Sequence, residues 1–108
     1  MTTFRLTIAT CCLFIAYTAA SAQTPQPDAG LIANPVFQKN CAKCHGKKAE
    51  GRHFGGPPLN SEKTAATSAH DLRGIITNGK GHMPKYAGKL TPEEIDTLVQ
   101  QIEALKGK

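Results

Sequence analysis

The sequence predicts an all-α domain with three or more helices and long loops. Three segments each combine a capping residue with apolar positions at helical spacing. Nothing between them alternates apolar and polar residues with period two over the length of a strand. Gly46, Gly51, Gly55, Gly56, Pro57, Pro58, Gly81, Pro84 and Gly88 fall between the three segments, where they break helices and lengthen the connections.

The first helix starts at Asn34 as N-cap with Pro35 in the first helical position, where its missing N–H costs nothing. Phe37, Cys41 and Cys44 then share one face, and the last turn presents the thiols. The second helix runs from a Ser68 cap, with Asp71 three residues on, through Leu72, Ile75 and Ile76 and stops at Asn78-Gly79. The third has the fullest signature: Thr91 caps, Pro92 starts, Glu94 completes a capping box and Leu90 can staple onto Ile95. Its face is Ile95, Leu98, Val99, Ile102 and Leu105.

The N-terminus has the form of a secretory signal. A single positive charge at Arg5 precedes a largely apolar run from Leu6 to Ala20, and Ala20-Ser21-Ala22 has the small-x-small form of a cleavage site. Residues 1–22 are therefore expected to be removed after Ala22, residues 23–33 to form a flexible leader, and residues 34–108 to form the folded domain. An uncleaved anchor is the rival reading, but the apolar stretch is broken by Thr7, Thr10 and Thr18 and falls short of the roughly 20 residues that span a bilayer. A lipoprotein signal ending at Cys11 leaves only Leu6 to Ala9 as its apolar part. Cleavage removes Cys11 and Cys12, so the mature chain keeps only Cys41 and Cys44 and has no thiols to spare for a disulfide. A chain of this size without tryptophan is near the limit at which an apolar core is sufficient by itself.

Cys41-Ala42-Lys43-Cys44-His45 is a C-x-x-C-H run, the attachment sequence of a covalently held haem c with its iron. Two thiols one helical turn apart reach the two vinyl groups of one porphyrin, while the next residue, His45, offers its imidazole to the iron. A zinc site would need a second ligand pair at short spacing, whereas His53, His70 and His82 are scattered singly. A thioredoxin-type dithiol would need strands around it, and no strand pattern is present. A buried porphyrin also supplies the apolar mass that the side chains lack.

Four segments taken together resemble the small soluble bacterial class I cytochromes c: Phe37-Gln38-Lys39-Asn40 running into the C-x-x-C-H and Gly46; Gly56-Pro57-Pro58-Leu59; Met83-Pro84-Lys85-Tyr86; and Leu90-Thr91-Pro92-Glu93-Glu94-Ile95. The resemblance covers Asn34 to about Lys106. It implies a cytochrome c-like fold whose first and last helices cross near one haem edge. It also implies His45 and Met83 as axial ligands and the Pro57 carbonyl as acceptor of a hydrogen bond from His45. On chemical grounds, a carbonyl in a rigid Pro-Pro segment would orient the ligand histidine. Pro84 biases Met83 toward an extended backbone, suited to a loop that pushes its side chain inward. A thioether ligand favours ferrous iron and raises the potential. His82, His53 and His70 are the competing ligands, and any of them would give a bis-histidine haem.

Two departures from the family stand out. Where its last helix commonly offers an aromatic ring to the first, this chain has Gln101, leaving Leu98 and Ile102 to pack near Phe37. With no tryptophan, the haem propionates fall to Arg52, His53 or Asn60. The chain is basic, with 13 Lys and Arg against 8 Asp and Glu, and Lys43, Lys47, Lys48, Lys80, Lys85 and Lys89 flank the haem and methionine segments. They form either a basic rim that attracts acidic docking surfaces of redox partner proteins or a merely solubilising set. Nucleic-acid binding is not indicated, because the basic residues lack interleaved aromatics and a recognition helix.

The expected function is periplasmic one-electron transfer by a protein that is not an enzyme and does not span the membrane once its signal is cleaved. A dedicated electron-accepting haem subunit of a dehydrogenase complex is the alternative. A peroxide- or gas-reactive haem would need the iron face that Met83 blocks.

Overall fold

The computed structural model describes residues 30–106. Five helices follow in order: α1 (Pro35–Asn40), α2 (Ala42–His45), α3 (Glu62–Ala65), α4 (Ala69–Asn78) and α5 (Pro92–Glu103). Among the described residues only two isolated β-bridges occur, Lys80 with Met83 and Ala87 with Leu90, each closing a tight turn.

Each long helix begins as its capping residues dictate. The Asn34 side chain accepts from the Val36 N–H at 2.9 Å, and Ser68 Oγ accepts from the Asp71 N–H at 3.1 Å. Ser68 also donates to the Asp71 carboxylate, which holds that carboxyl below its ordinary value. At α5 the box is reciprocal: Thr91 Oγ1 accepts from the Glu94 N–H at 3.1 Å, and Glu94 Oε2 accepts from the Thr91 N–H at 2.8 Å. The end of α4 falls at Gly79, whose φ of +76° is a conformation that glycine adopts without a Cβ penalty.

One core gathers these elements. Ile95, Leu98, Val99 and Ile102 line the buried face of α5 and join Phe37 of α1, Ala42 of α2, and Leu72 and Ile76 of α4. Arg73 of α4 forms an ion pair with Asp96 of α5, and Lys106 Nζ donates to the Thr67 carbonyl at 3.0 Å, so polar contacts fix the same packing from outside. Leu31 lies within the expected leader, yet it is 2% exposed and belongs to this core, and its carbonyl accepts from the Asn34 N–H. The packed chain thus begins ahead of the boundary at residue 34. The expected signal peptide lies outside the described residues.

The position that lacks the aromatic ring is filled in a different way. Gln101 is 3% exposed, and its Oε1 accepts from Asn34 Nδ2 at 2.7 Å across 67 residues of sequence. Asn34 therefore uses its oxygen to cap α1 and its nitrogen to hold α5. Two helices tied through side-chain amides need both partners in place, since a buried amide without its bond costs more than the bond contributes.

Asn34→Ser keeps a capping oxygen but loses the bond to Gln101, whereas Asn34→Ala loses both. Chemical denaturation should show Asn34→Ser destabilised by about 1–3 kcal/mol and Asn34→Ala by about 1 kcal/mol more. Equal losses would mean that the capping oxygen contributes nothing.

Candidate functional site

The site starts at a break in the first helical segment. The expected continuous helix through Cys44 is interrupted at Cys41, whose φ of −114° leaves the helical path. Two side-chain bonds accompany the break. Asn40 Nδ2 bonds back to the Val36 carbonyl at 2.9 Å, and the Tyr86 hydroxyl donates to the Asn40 carbonyl at 2.7 Å. In a regular helix the Asn40 carbonyl would accept from the Cys44 N–H; here that N–H goes to the Cys41 carbonyl at 3.1 Å. Cys41 is half-buried, Cys44 exposed and His45 buried. Burial, and then the neighbouring Cys44 sulfur, pushes the free Cys41 thiol up to about 11, a titration that a thioether linkage would abolish.

His45 is held by the loop that follows it. Its Nδ1 lies 2.9 Å from the Pro57 carbonyl oxygen. A carbonyl can only accept, so Nδ1 carries the proton and Nε2 of the neutral ring keeps its lone pair. The loop is itself tied back to the helix: Gly56 N–H donates to the Cys44 carbonyl at 2.7 Å, Gly51 N–H to the His45 carbonyl at 2.7 Å and Leu59 N–H to the Ala49 carbonyl at 2.9 Å. Gly56 packs directly on the imidazole, where a Cβ would fall 2.5 Å from His45 Cε1. At Gly51, with φ +81°, a Cβ would fall 2.7 Å from Pro58 N. Glycine is thus required at Gly56 by the ring and at Gly51 by both backbone and neighbour.

Met83 arrives on a second loop. Lys80 N–H donates to the Met83 carbonyl at 3.2 Å and Met83 N–H to the Lys80 carbonyl at 3.0 Å, closing a turn with Gly81 and His82 at its tip. His82 is exposed at that tip, whereas Met83 is half-buried against the core. The Tyr86 N–H donates to the Ile76 carbonyl and the Ala87 N–H to the Thr77 carbonyl, so this loop satisfies the last carbonyls of α4. Tyr86 is buried, and its phenol is raised by burial and then by Cys41 and Cys44.

The structure thus brings Cys41, Cys44, His45 and Pro57 into one bonded unit and places Met83 on a separate loop packed on the same core as Cys41. His53 and His70 are surface residues; His53 stacks edge-on against Phe54 at 4.7 Å, and His70 Nδ1 is 3.6 Å from Asp71. All six flanking lysines are exposed, and Lys89 Nζ sits 5.8 Å above the Tyr86 ring. Sequence reasoning did not single out Tyr86, Asn40 or Gly56. Only Gly56 had a local signal, its place before the rigid Pro57-Pro58 pair. This donor set fits a haem: two thiols on adjoining turns, an imidazole with Nε2 free, a glycine that leaves room for the ring, and half-buried Leu59 and Met83 beside the core.

The family described as cytochrome C oxidase, cbb3-type, subunit III, matches residues 31–102. The chain is similar to the Cbb3-type cytochrome c oxidase subunit CcoP of Rubrivivax gelatinosus, 35% identical over 91 residues that cover 82% of this chain but 30% of that subunit. It is similar to cytochrome c6 of Anabaena variabilis, 40% identical over 72 residues that cover 62% of this chain and 80% of the relative. The crystal structure of cytochrome c6C from Synechococcus sp. PCC 7002 matches with a TM-score of 0.56 at 30% identity, covering 66% of this chain and 89% of that one.

Gly56→Ala tests the close approach. The added methyl must displace the imidazole or the loop, which should lower stability by about 1–3 kcal/mol and move the NMR resonance of the His45 Nδ1 proton. An unchanged melting temperature together with an unchanged resonance would show that Gly56 does not set the ring.

Proposed function

This chain belongs to the c-type cytochrome family and holds haem c, and on that premise we propose that it is a one-electron carrier with His45 and Met83 as axial ligands, exported to the periplasm by cleavage after Ala22. The observation that carries the reading is the contact of His45 Nδ1 with the Pro57 carbonyl, because it leaves Nε2 as the coordinating atom directly after the two attachment cysteines. When bound, the haem supplies an iron that alternates between ferric and ferrous states. Cys41 and Cys44 hold it by thioether links, and His45 is kept in one tautomer and orientation by Pro57 and Gly56. Met83 offers a soft sulfur that favours the ferrous form and occupies the face that a peroxide or gas would need. The turn at Gly81-His82 supports Met83 over His82, because it exposes the histidine and half-buries the methionine. Among the described residues no helix is long and apolar enough to cross a membrane.

A second reading is favoured by the match to the oxidase subunit: the chain would serve as a haem domain held within a respiratory complex, not as a free shuttle. Either way a partner must approach the haem edge. Lys43, Lys80 and Lys85 are exposed around the attachment and methionine segments, and no acidic residue lies between Gly79 and Leu90. Phe54 is 99% exposed in a turn whose neighbours are bonded to the Cys44 carbonyl and to each other. An apolar ring beside the attachment cysteine with lysines about it fits a redox partner that presents an apolar patch edged by carboxylates.

Ligation is tested by two substitutions with opposite expected outcomes. Met83→Ala should open the sixth position, lower the potential and admit small ligands, while His82→Ala leaves the absorption spectrum nearly unchanged. Conversion to a high-spin haem by His82→Ala alone would reverse the assignment.

Docking is read by stopped-flow mixing with an acidic redox protein. The association rate should fall about tenfold or more from low to physiological ionic strength, and Phe54→Ser should weaken docking about tenfold at every salt concentration. A rate indifferent to both changes would remove the basic, aromatic-anchored docking face.

A further inference from the structure

The Tyr86 hydroxyl spans 46 residues of sequence to reach the Asn40 carbonyl, the last of α1 and the one immediately before Cys41. The Cys44 N–H, which would meet that carbonyl in a regular helix, goes to the Cys41 carbonyl. Tyr86 lies three residues beyond Met83. The other backbone ties of this stretch, from the Tyr86 and Ala87 N–H groups, go to α4. No other hydrogen bond among the described residues joins the loop of residues 79–90 to the segment Pro35–His45. The tyrosine is buried, and its bond to the Asn40 carbonyl is partly so.

From this geometry we infer that Tyr86 is a positioning residue for Met83: its hydroxyl fastens the methionine loop to the haem-attachment segment and thereby sets how readily Met83 leaves the iron. The inference rests on the reading of Met83 as axial ligand. Its physical basis is linkage. A bond present when Met83 is seated, and broken when the loop swings away, favours the seated state by its own net strength. The α4 ties alone leave the loop hinged on one side, whereas the Asn40 tie anchors it to the chain segment that carries Cys41, Cys44 and His45.

The test uses the purified holoprotein and imidazole as the competing ligand. Met83→Ala should abolish the thioether-to-iron charge-transfer absorption of the ferric protein; its persistence would overturn the ligand reading and this inference with it. Tyr86→Phe keeps the ring and removes only the donor. It should retain that absorption while binding imidazole roughly three- to tenfold more tightly than wild type, the factor set by one hydrogen bond of ordinary net strength. Unchanged imidazole affinity with Met83 ligation intact would overturn the positioning role alone. Should Tyr86→Phe yield no holoprotein, the wild type decides. The Tyr86 hydroxyl proton should exchange slowly in its NMR spectrum and lose that protection when imidazole saturates the iron. Persistent protection in the imidazole complex would show that the bond does not open with the ligand and would overturn the inference.

Discussion

A single hydrogen bond, from His45 Nδ1 to the Pro57 carbonyl, is the constraint from which the arrangement of this protein proceeds. A neutral imidazole has one donor and one acceptor, so binding the donor to a carbonyl leaves the other nitrogen as the one with a lone pair to offer. That carbonyl must be placed to a few tenths of an ångström, and the chain between His45 and Leu59 is organised for it. The backbone of Cys44, His45 and Ala49 accepts bonds from Gly56, Gly51 and Leu59 in turn, and two glycines remove the side chains that would collide. A loop in this setting acts as a rigid part of the site, because its backbone groups are satisfied by the helix that it serves.

The same economy governs the helices. A domain this small has little apolar mass, and its core rests on one face of α5 packed on Phe37, Leu72 and Ile76. Polar contacts with long sequence separation secure what the core leaves loose. Asn34 with Gln101 locks the first helix to the last, Tyr86 with Asn40 locks the methionine loop to the attachment segment, and Lys106 with the Thr67 carbonyl holds the chain end. The first of these bonds is buried and the second partly so, and the low local dielectric strengthens both. The first helix is therefore tied to the last here by an amide pair, at the position where the family commonly has an aromatic ring.

Charge is distributed by function as well. The loop of residues 79–90 carries lysines without acids, while Glu93, Glu94, Asp96 and Glu103 are on α5. The helix that builds the core is acidic on its outer face, and the loop that carries Met83 is basic.

What the sequence determined by itself is whatever physics decides within a few residues. The caps at Asn34, Ser68 and Thr91, the helix stop at Gly79 and the apolar face of α5 from Ile95 to Ile102 are all local, and each stands where the pattern placed it. The four-residue α3 escaped notice because one turn is too short to show periodicity, although Ser61 caps it onto Thr64. Tertiary structure alone decided the partners of groups far apart in the chain. Nothing near Gln101 signals that its amide answers Asn34, and nothing near Tyr86 signals that its hydroxyl takes the Asn40 carbonyl beside the break at Cys41. Leu31 likewise reads as leader until the core that buries it is assembled. A hydrogen bond or a buried contact between distant residues depends on where the whole fold brings them, and no local period records that position.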